Sequence, residues 1–121
     1  MTLTDEQVAY LRTQRLGRLA TLRPDGGLQN NPVGFWLDDE RRILIGGREL
    51  GQSQKFRNAQ THPQVAFVVD DLASVDPWRP RMVEIRGAAE TLTGQETPRG
   101  FSAELIRITP ERVIAFGLDP A

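Results

Sequence analysis

Between Gly46 and Asn58 the chain reads Gly-Gly-Arg-Glu-Leu-Gly-Gln-Ser-Gln-Lys-Phe-Arg-Asn, a run that gathers glycines, a hydroxyl, amides and three cations. Those residue types suit an oxyanion. Ser53 is predicted to cap a helix that passes through Arg57 and Ala59 and ends near His62 and Pro63. An anion docked at such a helix start meets free backbone N–H groups, the Ser53 hydroxyl and the positive end of the helix dipole. Lys55 adds a point charge, and it is the only lysine in a chain whose other cations are all arginine. The Gly-x-x-x-x-Gly-Lys-Ser/Thr order of a P-loop is absent. The same residues also suit a solvated helix face with an ordinary N-cap, and the stretch alone does not separate the two readings.

Other chemistry is hard to assemble from these residues. The only histidine, His62, precedes a proline at the predicted helix end, where a solvated or C-capping role fits better than catalysis. One histidine and no cysteine leave no ligand set for zinc, no thiol nucleophile and no disulfide. No Gly-x-Ser-x-Gly elbow occurs. Asp38, Asp39 and Glu40 fall where a charged turn is expected between two strands, and Asp70 and Asp71 close a strand where they could approach a cavity. No catalytic acid or base is singled out, and any redox chemistry falls to a cofactor.

The positioning elements must come from one domain, residues 1–121, since 121 residues with 39% hydrophobic content supply one modest core. A net charge of −1, with no basic block interleaved with aromatics, argues against a nucleic-acid partner. No apolar run reaches membrane-spanning length, and the first residues lack a basic region followed by an apolar one. The expectation is a cytoplasmic protein without a membrane partner.

In chain order, Thr4-Asp5-Glu6-Gln7 has the form of a capping box, and Val8 and Leu11 continue a helix to about Gln14. Arg18 to Leu22 and Leu28 to Leu37 are predicted strands joined by a turn at Pro24-Asp25-Gly26-Gly27. Pro32 marks an edge, a bulge or a ligand-facing place in the second. Arg42 to Ile45 forms the third. After the crossover, Gln64 to Val69 is the clearest strand, followed by a loop from Asp70 to Pro80 that carries Trp78 between Pro77 and Pro80. Met82 to about Thr93 is the next strand. Gly94 to Phe101 reads as polar connection, and Glu104 to Thr109 and Arg112 to Gly117 as two strands split by Pro110. Six or seven short strands, one long crossover and two small helices describe a mainly β protein whose antiparallel sheet closes into a barrel.

The ordered set Arg18 to Leu22 with Pro24-Asp25-Gly26, Asn31-Pro32-Val33-Gly34-Phe35, Ile43 to Gly47, Ser53 to Asn58 and Pro63 to Val69 resembles the pyridoxamine 5′-phosphate oxidase-like family. The resemblance runs nearly the whole chain. Asp76-Pro77-Trp78-Arg79-Pro80-Arg81 ahead of Met82 to Gly87 looks most like small members that use the deazaflavin coenzyme F420. The likeness implies a six-stranded antiparallel split β-barrel, FMN-binding split-barrel type, forming a homodimer with flavin-type cofactors in grooves between protomers. It places Asn31, Pro32, Val33 and Gly34 along the ring. Ile45, Gly46 and Gly47 would let the cofactor approach the third strand, and Ser53, Gln54 and Lys55 would hold its phosphate. Arg81 and Met82 would come from the partner protomer, with Trp78 and Arg79 at the groove mouth.

The C-terminal extension that contacts substrate phosphate in vitamin B6 oxidases has no counterpart before Ala121, so that activity is rejected as the leading function. The expected function is an F420-binding oxidoreductase passing hydride to or from a small organic substrate. FMN is the alternative cofactor, because its phosphate suits the same Ser53 to Lys55 site. A non-enzymatic carrier or sensor of such a cofactor is the competing class.

Overall fold

Polar side chains decide where each helix begins. The computed structural model describes residues 2–120. Helix α1, Asp5–Arg12, starts with the full capping box: Thr4 Oγ1 accepts the Gln7 N–H while Gln7 Oε1 accepts the Thr4 N–H. It ends before Gln14, because Thr13 caps it and donates its hydroxyl to the Tyr10 carbonyl at 2.7 Å. Helix α2, Gln54–Thr61, begins behind Ser53 and ends at His62, as the residue pattern predicts.

Six strands form the rest: β1 Leu16–Leu22, β2 Leu28–Leu37, β3 Ile43–Gly46, β4 Gln64–Ser74, β5 Arg79–Leu92 and β6 Leu105–Phe116. All neighbours are antiparallel, and the order β1-β2-β3-β6-β5-β4 closes on itself. Closure leaves no free sheet edge. The β1–β2 turn uses Gly26 at φ 85, a conformation that glycine enters without a Cβ penalty. The crossover from β3 to β4 passes through a 3-10 turn at Leu50–Gln52 and then α2, which packs against β1 and β5. Alternate residues, among them Leu19, Val33, Ile45, Phe67, Ile85 and Ile108, point inward and form the core.

Two sequence-based boundaries are corrected. Asp70 to Pro80 is not a loop: β4 runs on to Ser74 and β5 starts at Arg79, with Asp70 opposite Met82 and Asp71 opposite Arg81. Paired charges across the ladder replace the apolar pattern that marks a strand. Nor do two strands flank Pro110. A single strand, β6, passes through it, because Pro110 sits opposite Gly87 at a shift of register between Arg86 and Gly87. A bulge relieves proline of its ladder donor. The close approach there needs a glycine, since a Cβ at Gly87 would lie 2.1 Å from the Thr109 carbonyl oxygen. The strand count is therefore six.

Candidate functional site

The residues predicted to receive an anion lie at the start of α2. Ser53 Oγ accepts the Phe56 N–H at 3.3 Å and donates to the Leu50 carbonyl at 2.6 Å, so its proton is already committed to the cap. Among the described residues, the backbone N–H groups of Gln54 and Lys55 have no protein acceptor. The half-buried Lys55 is likewise in no ion pair. Arg57 is occupied, donating to Gln52 O at 2.7 Å and to Gln54 Oε1 at 2.9 Å. An ammonium and two open amides in the first turn of a helix are a donor set that fits a phosphate.

The loop before α2 is fastened by residues to which the sequence reading gave no part in the site, Ser102 in no predicted element and Glu104 at the start of a predicted strand. Ser102 N–H donates to the Gly47 carbonyl at 2.8 Å, Ser102 Oγ accepts the Leu50 N–H at 3.0 Å, and Glu104 Oε1 accepts the Gly51 N–H at 2.9 Å. These partners are more than fifty positions apart in the chain. No local pattern could have announced them.

The predicted ring-lining residues divide by strand parity. Val33 and Ile45 turn their side chains into the core, so only their backbone can meet a ligand. Pro32 is exposed, and Asn31 and Gly34 are half-buried. Gly34 pairs with Gly46 across β2 and β3. A Cβ at Gly46 would meet Phe101 Cδ2 at 2.8 Å and Trp36 Cη2 at 2.9 Å, so this glycine makes room first for two rings of its own chain. Those rings pack together with centroids 6.2 Å apart. Gly47 has only Leu50 nearby, at ordinary contact distance.

Buried amides tie the two parts together. Asn58, fully buried on α2, donates to Thr21 Oγ1 at 3.0 Å and to Gln29 Oε1 at 3.3 Å. Gln29 in turn donates to Asn31. Sequence reading missed Thr21, Gln29 and Asn58, although polar residues on the inward parity of β1 and β2 were a signal for them.

The β4–β5 hairpin carries the remaining candidates. Trp78, Arg81 and Met82 line a cleft of about 420 Å³ with Asp70, Asp71, Leu72, Pro80 and Phe116. Arg79 is exposed and not among its lining. Trp78 is 67% exposed and so lies outside its own protomer's core. Arg81 is held in place: its Nε and Nη2 donate to both oxygens of Asp71, and its guanidinium lies over the Tyr10 ring, 5.2 Å from the centroid. Tyr10 and Gln14 also donate to Asp71. The Arg81 hydrogen bonds hold the Asp71 carboxyl below its ordinary range despite partial burial. Burial, with the hydrogen bond to Asp71 next, pushes the Tyr10 hydroxyl well above its ordinary value. The cluster pins α1 to the hairpin. This cleft shares no lining residue with the start of α2.

Among the described residues, no group of three or more carboxylate or imidazole side chains is placed to hold a metal, and no helix is long and apolar enough to cross a membrane.

A closed, six-stranded antiparallel barrel with two short helices defines the split-barrel class. The family described as pyridoxamine 5′-phosphate oxidase matches residues 3–117, and the chain belongs to that family. It is 43% identical to a 5a,11a-dehydrotetracycline/5a,11a-dehydrooxytetracycline reductase of Streptomyces rimosus, over 98% of this chain and 86% of the relative. Its fold is similar to that of a conserved hypothetical protein of Mycobacterium tuberculosis, with a TM-score of 0.75 at 21% identity over 97% of this chain and 86% of that one. A structure titled F420 reductase gives a TM-score of 0.63 at 27% identity, over 83% of this chain and 89% of the other.

Proposed function

We propose that this protein is a cytoplasmic oxidoreductase that binds coenzyme F420 and reduces, or oxidises, an unsaturated small organic substrate in a groove shared by two protomers. The observation that carries the reading is the 43% identity to a dehydrotetracycline reductase along 98% of the chain. Likeness to a structure titled F420 reductase favours the deazaflavin over FMN, which remains the second cofactor reading because the same donors suit its phosphate. The bound cofactor supplies the hydride when the substrate is reduced and accepts it when the substrate is oxidised. Lys55 and the first-turn amides of α2 hold its phosphate, Asn31, Pro32 and Gly34 border its ring, and Trp78 covers the groove mouth. The protein's part is to orient and to exclude water, which needs no nucleophile of its own. A visible spectrum recorded during titration with F420 and with FMN tests the reading: a perturbed deazaflavin band supports F420, a perturbed two-band flavin spectrum supports FMN, and no change with either rejects both.

What the hairpin leaves uncovered supports a homodimer. Leu72, Val75, Trp78 and Phe116 are exposed large apolar residues, three of them lining the hairpin cleft. Sedimentation equilibrium at micromolar concentration is expected to give twice 13.6 kDa. A purely monomeric mass refutes the shared groove.

Trp78 supplies a separate check. Its exposure in the single barrel predicts that Trp78→Ala changes the stability of the dissociated protomer by no more than about 0.5 kcal/mol. Lost ring-to-ring contact should weaken cofactor binding about three- to tenfold. Unchanged affinity in a calorimetric titration removes Trp78 from the groove.

A further inference from the structure

The two ends of a carboxamide are nearly identical in shape, so which end faces a ligand is decided by its hydrogen-bond partners. Here the partners form a chain that begins at donor-only groups. Arg57 Nη2 donates to Gln54 Oε1 at 2.9 Å, which turns the Gln54 nitrogen toward Asn58 Oδ1 at 2.7 Å. That contact directs Asn58 Nδ2 to Gln29 Oε1 at 3.3 Å. Arg23 Nη1 donates to the same Gln29 oxygen at 3.2 Å. Gln29 Nε2 is thereby aimed at Asn31 Oδ1, at 2.8 Å. Reversing Gln54 or Gln29 would set its N–H groups against a guanidinium, which cannot accept, and reversing Asn58 or Asn31 alone would set N–H against the N–H of the neighbouring amide.

We propose that Arg57 and Arg23 fix the Asn31 carboxamide with its nitrogen outward, so that Asn31 acts as a hydrogen-bond donor to a ring carbonyl of the bound cofactor. Gln54, Asn58 and Gln29 are the positioning residues. Among the described residues, Asn31 Nδ2 has no partner and no buried side-chain nitrogen or oxygen lacks one, so this nitrogen reaches the surface. The inference rests on the reading that Asn31 borders the cofactor ring; the acceptor is the ring carbonyl chemistry that deazaflavins and flavins share. It adds a coupling, because the helix that receives the phosphate also sets the polarity of the group that meets the ring.

Gln29→Glu tests the relay with little change of shape. A carboxylate at position 29 still accepts from Arg23 and Asn58 but cannot donate, so Asn31 should turn its NH2 inward and present oxygen to the ligand. Side-chain amide NMR reads this without any ligand. In the wild type the Asn31 NH2 should exchange rapidly while those of Gln29 and Asn58 are protected, and in Gln29→Glu the Asn31 NH2 should become protected. An Asn31 NH2 as protected as that of Gln29 in the wild type overturns the orientation.

Calorimetric titration with F420 and with FMN reads the consequence. Gln29→Glu and Asn31→Ala should each weaken the cofactor that the wild type binds by about tenfold. In the Asn31→Ala background, Gln29→Glu should add nothing, because Gln29 acts through Asn31. The same loss in both backgrounds, or none in either, overturns the positioning role. A wild type that binds neither cofactor defeats the functional reading instead, and the NMR pattern still decides the amide orientation.

Discussion

Lys55→Ala is expected to bind its cofactor ten- to a hundredfold more weakly than the wild type while melting at the same temperature. The ammonium stands at the second position of α2 without an ion pair among the described residues, beside two open amides. A charge-assisted contact to phosphate contributes roughly 1.5–3 kcal/mol, which sets the affinity range. Stability should change little, since the side chain makes no hydrogen bond or ion pair among the described residues. Lys55→Arg should recover only part of the loss, because a planar guanidinium does not reproduce a compact ammonium in a tight turn. Calorimetric titration of both variants with F420 and FMN provides the measurement. A change below about 0.5 kcal/mol in either variant would assign Lys55 to a solvated helix face.

Phe67→Ala should cost the fold about 3–5 kcal/mol, a large share of the roughly 5–15 kcal/mol that holds a domain of this size together. Phe67 is 1% exposed and meets the edge of Phe35 with centroids 5.2 Å apart. Its ring also fills the space over Gly17, where a Cβ would lie 2.2 Å from Phe67 Cζ. Glycine has no side chain with which to refill the void, so the cavity persists and the loss stays near the upper end. Urea titration gives the number, with Val68→Ala on the outer face of β4 as the control expected to lose far less. A loss under 1 kcal/mol for Phe67→Ala would mean that the barrel interior collapses around the gap.

What the sequence alone determined was whatever depends on neighbours in the chain. The capping box at Thr4, the Ser53 cap, the turn through Gly26 and the span of β2 were all legible, because each rests on contacts a few residues apart or on an alternation along one strand. The start of α2 was legible for the same reason, and the ordered motifs carried the family and its barrel.

What only the tertiary structure decided depends on partners distant in the chain. Asp71 reads as the start of a loop until Arg81, Tyr10 and Gln14 neutralise and saturate it; only then does the hairpin continue. Pro110 reads as a strand break until Gly87 opposite it supplies a bulge without a Cβ. Gly46 reads as space for a ligand, yet Trp36 and Phe101 occupy that side. Gln29 and Asn58 read as unremarkable amides until folding brings them together, with Asn58 Nδ2 donating to Gln29 Oε1 across 29 positions of chain. Local propensity acts over a few bonds, whereas the polarity of a buried hydrogen-bond network is fixed only when closure of the barrel brings its donors and acceptors together.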